Sequence, residues 1–281
     1  MNQNELKEKL KRRVQDVYSN LLISNTWNEN RLKLIKHILT DNIDNFLNWQ
    51  VIVGRMTYEP SENAVQFLKT LSFWPKIQSI LTRSSVGNPL SYPPLSESCG
   101  NSVNHACHLA TLIVETGLDF NTLQTIFEFG GGFGMLCKLI FKFGFCGNYT
   151  IFDLPEVLAL QEYYLSSTLD KTSSFNHYQK DKDINFLWDR NQTSEILIAE
   201  NSLFIALWSI SESPFDLRDE IFKKVFQSTK YVLLGYQDEW YGYDNKTYFS
   251  NLITKNSQYT WKSIPVAQYG NLLTYIIGQR K

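Results

Sequence analysis

Cysteine is scarce in this sequence. Cys99, Cys107, Cys137 and Cys146 are all there is, and none stands in a C-x-x-C pair or at zinc-site spacing. That excludes a disulfide scaffold and points to reduced thiols in the core of a cytosolic protein. Proline and glycine are few as well, 8 and 14 in 281 residues, so no collagenous or low-complexity class applies. Neither charge is in excess: 27 Lys plus Arg stand against 28 Asp plus Glu, which gives no electrostatic footing for a nucleic acid or an anionic membrane. Long apolar runs are missing too. The longest, Leu203–Trp208 (LFIALW), is far too short to cross a bilayer. The N-terminal MNQNELKEKLKRRVQDVY is charged where a signal peptide would be apolar. The expectation is a soluble cytoplasmic protein with no membrane span and no nucleic-acid partner.

What is present suits a globular chain: 43% of the residues are apolar, enough to bury a substantial core. Two halves read differently. Over residues 1–120 apolar residues recur at helical spacing, as in Leu6, Leu10, Val14, Val17 and Leu21, with further helices expected over 31–49 and 61–82. SSVGNPLSYPPLSESCGNS, residues 84–102, reads as a long loop, and a helix over Val103–Thr116 leads out of it. Over 121–281 strands and helices alternate. TLQTIFEF, YTIFDLP, LFIALWS and YVLLGYQ read as strands, with helices after the first two and over Phe215–Gln227, and a short strand near SFNHYQ. A last helix around Thr247–Ile253 precedes QYTWKSIPV and NLLTYIIGQ, two strands with no helix between them. Repeated β–α units imply a mostly parallel sheet covered on both faces, closed here by an antiparallel terminal pair.

Four of the 14 glycines fall in one stretch of five residues, Gly130–Gly134 of FEFGGGFGML, between a strand and a helix. Glycine there lets a ligand approach the backbone, and the helix that follows offers unpaired N–H groups. The spacing is not the dinucleotide G-x-G-x-x-G, because the third place falls on Met135 or Cys137, and no Walker lysine follows. It is Glu128-x-Gly130-x-Gly132-x-Gly134. Asp153 ends the next strand, where an acid can accept from both hydroxyls of a ribose. The pattern therefore favours an adenosine-like ligand with no pyrophosphate cradle. The alternative readings are a ligand-free turn and a helix-capping acid ahead of Pro155.

These residues resemble motif I and the ribose acid of the class I S-adenosylmethionine-dependent methyltransferases. Further along, FDLPEVLALQEYYL, LWSISESP, DNKTYF and YIIGQRK resemble in order the bacterial sugar O-methyltransferases, as do the GNP of residues 87–89 and the helix carrying His105. The resemblance implies an α/β, Rossmann-like class I methyltransferase sheet of seven strands with a terminal antiparallel hairpin over 121–281. Residues 1–120 would be a helical lid and acceptor region. It implies S-adenosyl-L-methionine as cofactor, with Gly130, Gly131, Gly132 and Gly134 along its methionine part. Glu128 would brace that loop or reach the cofactor's amino group, while Asp153 would hold the ribose and Leu154 lie against the adenine. The residue that reads the adenine amino group would fall in 178–192, where Asp181 and Asp183 are candidates. The implied activity is O-methylation of a sugar, nucleotide sugar or glycan in glycan biosynthesis. A phenolic or polyketide acceptor, a non-catalytic cofactor-binding module and a nicotinamide-dependent dehydrogenase are the alternatives. A homodimer is compatible with the apolar N-terminal helices.

Methyl transfer to a hydroxyl is helped by a base, and His105 is the first candidate because histidine titrates near neutrality. Glu212, just past a central strand, and Asp238 and Glu239, after YVLLGYQ, are the others. Each has a structural reading beside it: helix packing for His105, capping for Glu212, a solvated loop for the acidic pair. HACH puts His108 three residues beyond His105, but no carboxylate completes a metal set, so no metal is expected. Trp208, Trp240, Tyr241 and Tyr243 are candidate sugar contacts, with Trp208 read as strand core.

Overall fold

The structure, a computed structural model, describes residues 3–19, 28–196, 198–266 and 273–281. Six helices come first: α1 (Gln3–Ser19), α2 (Asn28–Thr40), α3 (Gln50–Val53), α4 (Glu62–Lys69), α5 (Trp74–Ile80) and α6 (Gly100–Thr116). Leu6, Leu10 and Val14 of the α1 stripe are buried. Leu21 and Trp27 lie outside the described residues, as does the Val17 side chain. The single helix expected over 61–82 is two, because α4 ends at Thr70 and Pro75 opens α5, where its missing N–H costs nothing. The 31–49 pattern also breaks: α2 stops at Thr40, and Asn42 caps a 3₁₀ turn over Ile43–Asn48 by accepting from the Asp44 N–H. Residues 84–99 are irregular apart from one Tyr92–Leu95 bridge, and α6 begins at Gly100, earlier than the expected Val103.

The second half supplies β1 (Thr125–Phe129), α7 (Met135–Lys142), β2 (Asn148–Phe152), α8 (Pro155–Thr168), β3 (Ser173–Phe175), β4 (Ile184–Leu187) and β5 (Ser202–Leu207). It continues through α9 (Phe215–Ser228), β6 (Tyr231–Tyr236), a two-stranded ribbon of β7 (Glu239–Trp240) and β8 (Tyr243–Asp244), α10 (Asn245–Lys255), β9 (Tyr259–Pro265) and β10 (Thr274–Arg280). The main sheet has the order β3-β4-β2-β1-β5-β6-β10-β9, parallel except for β10, which runs antiparallel to both its neighbours. The expected Rossmann-like, mostly parallel sheet is present with its terminal antiparallel pair, and the short strand expected near SFNHYQ is β3 at its edge; the sheet has eight strands where seven were expected. β4 was not foreseen in the sequence.

Successive strand residues point to opposite faces, and both faces are covered. Ile126, Ile151, Ile205, Leu233 and Ile277 share one apolar cluster with α1, α2, α4 and α6. Phe127, Phe204, Val232 and Ile276 share the other with Ile221, Phe222 and Val225 of α9 and Phe249 of α10. Three cysteines are buried as expected, but Cys146 is exposed, in the turn between α7 and β2. Among the described residues no helix is long and apolar enough to cross a membrane.

What this topology positions is a crevice. From β1 the chain proceeds to β2 on one side, and later returns as β5 on the other. The carboxyl ends of β1, β2, β4 and β5 therefore open together at the switch point where open α/β sheets bind ligands.

Candidate functional site

A cavity of about 690 Å³ occupies that crevice, within the size range of small-molecule sites. Its floor is the glycine turn. Gly130 and Gly132 take positive φ, +75° and +56°, in the left-handed region that side chains seldom adopt. At Gly130 the need is steric as well, since a Cβ would lie 2.1 Å from the Ser209 Cβ. At Gly132 a Cβ would meet only Met56, at 3.9 Å, so this part of the turn faces open space. Gly131 also lines the cavity, whereas Gly134 packs its bare backbone against Leu165 of α8 and serves the turn.

Asp153, Leu154 and Glu128 all line the cavity. Asp153 accepts from the Leu154 N–H at 2.7 Å and from Gln161 Nε2 at 2.9 Å, leaving lone pairs for a ligand. Gln161 was missed in the sequence. Wholly buried on α8, it also donates to the Gly132 carbonyl at 2.8 Å and so ties the acid after β2 to the turn after β1. Its own Oε1 is buried with no partner. Glu128 is buried and accepts from the Tyr149 hydroxyl at 2.8 Å.

Burial pushes both carboxyls up to about 7; the Tyr149 hydrogen bond partly opposes this at Glu128, and the Leu154 N–H does so at Asp153. Between the ordinary carboxylate range and pH 7 the folded chain thus holds protons that the unfolded chain has released. Their contribution to stability is greatest below about pH 4 and is lost as pH rises toward 7. Glu128→Gln keeps an acceptor for Tyr149 and carries no charge. In denaturant titrations its stability advantage over the wild type is expected to grow from pH 5 to pH 8. A gap that stays constant with pH would contradict the assignment.

Another wall is α6. His105 lines the cavity, its Nδ1 buried without a partner, and burial lowers its pKa to about 4, so the ring is neutral at pH 7. His108 also lines the cavity, but its Nδ1 meets the Tyr275 hydroxyl and its Nε2 meets Asn104 Nδ2 at 3.3 Å. Both its nitrogens are engaged, and burial holds it well below the ordinary histidine range. Among the described residues no group of three or more His, Cys, Asp or Glu could hold a metal ion.

Of the other candidates, Glu212 lines the cavity, with Gln237 Nε2 at 3.4 Å from its Oε1. Asp238 and Glu239 do not: both are exposed and lie away from it. The reason is local. The Asp238 carbonyl accepts the N–H groups of Asn245 and Lys246, which closes the β7–β8 ribbon into α10 and turns the acids to solvent. Tyr243 reaches the cavity; Trp240 and the exposed Tyr241 do not. Asp181 and Asp183 are also elsewhere. Asp183 accepts from Thr172 and Lys171, and Asp181 is exposed beside Lys182. The residues of that stretch that line the cavity are Trp188, one residue beyond β4, and Arg190, which pairs with Asp216 and Glu220. Residues 55–58, Asn101 and Asn104 complete the wall from the N-terminal half, with no sequence signal of their own.

Trp208 is not strand core. It stands one residue beyond β5, half-buried, with φ +60°, and it lines the cavity.

No family model and no curated protein matches the chain. Among solved structures it is similar to the magnesium protoporphyrin IX methyltransferase of Synechocystis PCC 6803 with bound SAM, at 10% identity over 78% of this chain and 97% of that one, with a TM-score of 0.47. It is similar to the precorrin-6y C5,15-methyltransferase of Geobacter metallireducens GS-15 at 12% identity, over 65% and 88% of the two chains, TM-score 0.44. With the mitomycin 7-O-methyltransferase the identity is 13%, over 82% and 75%, TM-score 0.40. Likenesses at this distance say nothing of what a pocket takes, which leaves its lining residues to decide.

Proposed function

We propose that this chain is an S-adenosylmethionine-dependent O-methyltransferase whose acceptor is a hydroxyl of a sugar or sugar-containing metabolite. The observation that carries the reading is the meeting of the glycine turn, Asp153 and His105 at one cavity. The residues fit the cofactor. Gly132 leaves open space above the turn, Asp153 keeps acceptor capacity for a ribose diol, and Gln161 offers a buried oxygen that lacks a donor. Glu128 would answer the cationic part of the methionine moiety, and Trp188 and Leu154 would flank the base. Bound S-adenosylmethionine supplies an electrophilic methyl group on a sulfonium.

The chain's own task is then to position an acceptor hydroxyl and receive its proton. His105 is the receiver. A neutral imidazole with a pKa of about 4 is a weak base toward a free alcohol. As the oxygen gains its new carbon, however, its proton becomes strongly acidic, so a weak base in contact is sufficient. The methyl goes to oxygen and the proton to the ring nitrogen, and no metal is required.

Asp153→Ala tests the cofactor half. Loss of hydrogen bonds to a charged acceptor costs about 1–3 kcal/mol, so affinity for S-adenosylhomocysteine should fall roughly 10- to 100-fold in isothermal titration. Unchanged affinity in a folded variant would remove Asp153 from the site. Cofactor binding without transfer to any hydroxyl acceptor would leave a binding module instead of an enzyme.

A further inference from the structure

We propose that Trp208 is the platform on which the acceptor sugar stacks, its ring presenting the apolar C–H face of a pyranose so that one hydroxyl meets His105. The inference rests on the methyltransferase reading for the role of His105, but not for the platform itself.

A bulky residue at φ +60° is a backbone outlier, and such residues persist where their surroundings over-determine them. The surroundings here do so. The Trp208 N–H donates to the Gly235 carbonyl at 2.8 Å, and its own carbonyl accepts from Ser211 Oγ at 3.1 Å. The next residue, Ser209, donates its hydroxyl to the Phe129 carbonyl and is interlocked with Gly130. On β6, Gly235 makes room for the indole, since a Cβ there would lie 3.1 Å from two of its ring atoms. The chain accepts this conformation in order to aim the indole at the cavity.

The ring is also backed. It lies 5.3 Å from His108 and 6.1 Å from Tyr275, and His108 is in turn 5.3 Å from His105. The His108–Tyr275 contact holds this row from behind. An aromatic ring held in place, with the neutral imidazole of His105 beyond His108 at the same cavity, suits a ligand with one apolar face and hydroxyls at its edge, which is the chemistry of a pyranose. Glu212, in the same wall, is placed to accept from a second hydroxyl.

The test uses the full chain carrying 5-fluorotryptophan, loaded with S-adenosylhomocysteine. The Trp208 resonance is assigned by its loss in Trp208→Phe. Methyl glycosides of glucose, galactose, mannose and rhamnose are the probes, with catechol as the planar phenolic control. At least one glycoside is expected to shift the Trp208 resonance saturably. Trp208→Leu should weaken that glycoside about tenfold or more while leaving S-adenosylhomocysteine affinity within twofold. Cofactor binding with no glycoside moving the resonance, a shift with catechol alone, or a glycoside held equally well by Trp208→Leu would each overturn the proposal and leave the methyltransferase reading standing. A glycoside shift without S-adenosylhomocysteine binding would uphold the platform and sink that reading instead.

Discussion

His105→Ala is expected to lower the rate of methyl transfer about 10²- to 10⁴-fold, the usual contribution of a positioned base, with little change in affinity for S-adenosylhomocysteine. The separation of the two readouts follows from the geometry. His105 stands on α6, an element separate from the glycine turn and from Asp153, and its Nδ1 has no hydrogen-bond partner. Its substitution removes a proton acceptor and leaves the floor intact. The pH profile adds a second check. Because burial holds the His105 pKa near 4, no acid limb near 6.5 is expected from this residue. The limb in kcat/KM should instead lie near 7, to which burial raises both Asp153 and Glu128. Full activity in the alanine variant would dismiss His105 as the base.

The second large effect is on stability. Arg31 of α2 donates to Glu156 of α8 through Nε at 2.5 Å and Nη2 at 3.1 Å, and Glu156 is wholly buried. Removing one partner of a buried pair leaves the other charge uncompensated, which costs about 3–5 kcal/mol. Arg31→Met is therefore expected to lower the midpoint of denaturant unfolding at pH 7.5. Replacing both residues by apolar ones, Arg31→Met with Glu156→Leu, should recover much of the loss. A single variant as stable as the wild type would show that the pair carries little energy. The consequence reaches the site, because Glu156 lies in the first turn of α8, directly after Asp153, Leu154 and Pro155. Near the other end of the buried stretch of α8, Glu162 accepts from Lys9 and Arg13 of α1. The N-terminal helices thus hold the helix that directly follows the acid.

Much of this was legible in the sequence because local rules govern it. The glycine turn, Asp153 at a strand end and the terminal strand pair each follow from residue types at short spacing. Trp208 was misread for an equally local reason: LFIALW is apolar throughout, and nothing in it says that the last residue leaves the strand in a left-handed turn. Asp238 and Glu239 look like site acids from their place after a central strand, but the direction of the chain there is decided by Asn245 and Lys246 capping the Asp238 carbonyl. Gln161 and Glu156 were invisible in another way. They sit in a largely buried helix, and the groups that explain them are Gly132, Asp153 and Arg31, brought near only by the fold. The wall built by residues 55–58 and by Asn101 has the same origin. The Asn101 Oδ1 accepts the Tyr58 N–H at 3.2 Å across a separation that no spacing rule bridges.

The most direct measurement is calorimetric titration of the full chain with S-adenosylhomocysteine and, in parallel, with NAD. Saturable one-to-one binding of S-adenosylhomocysteine alone is the expected result. Binding of NAD in its place, or of neither, would contradict the assignment of the crevice between β1, β2 and β5 to a methyl-donor cofactor.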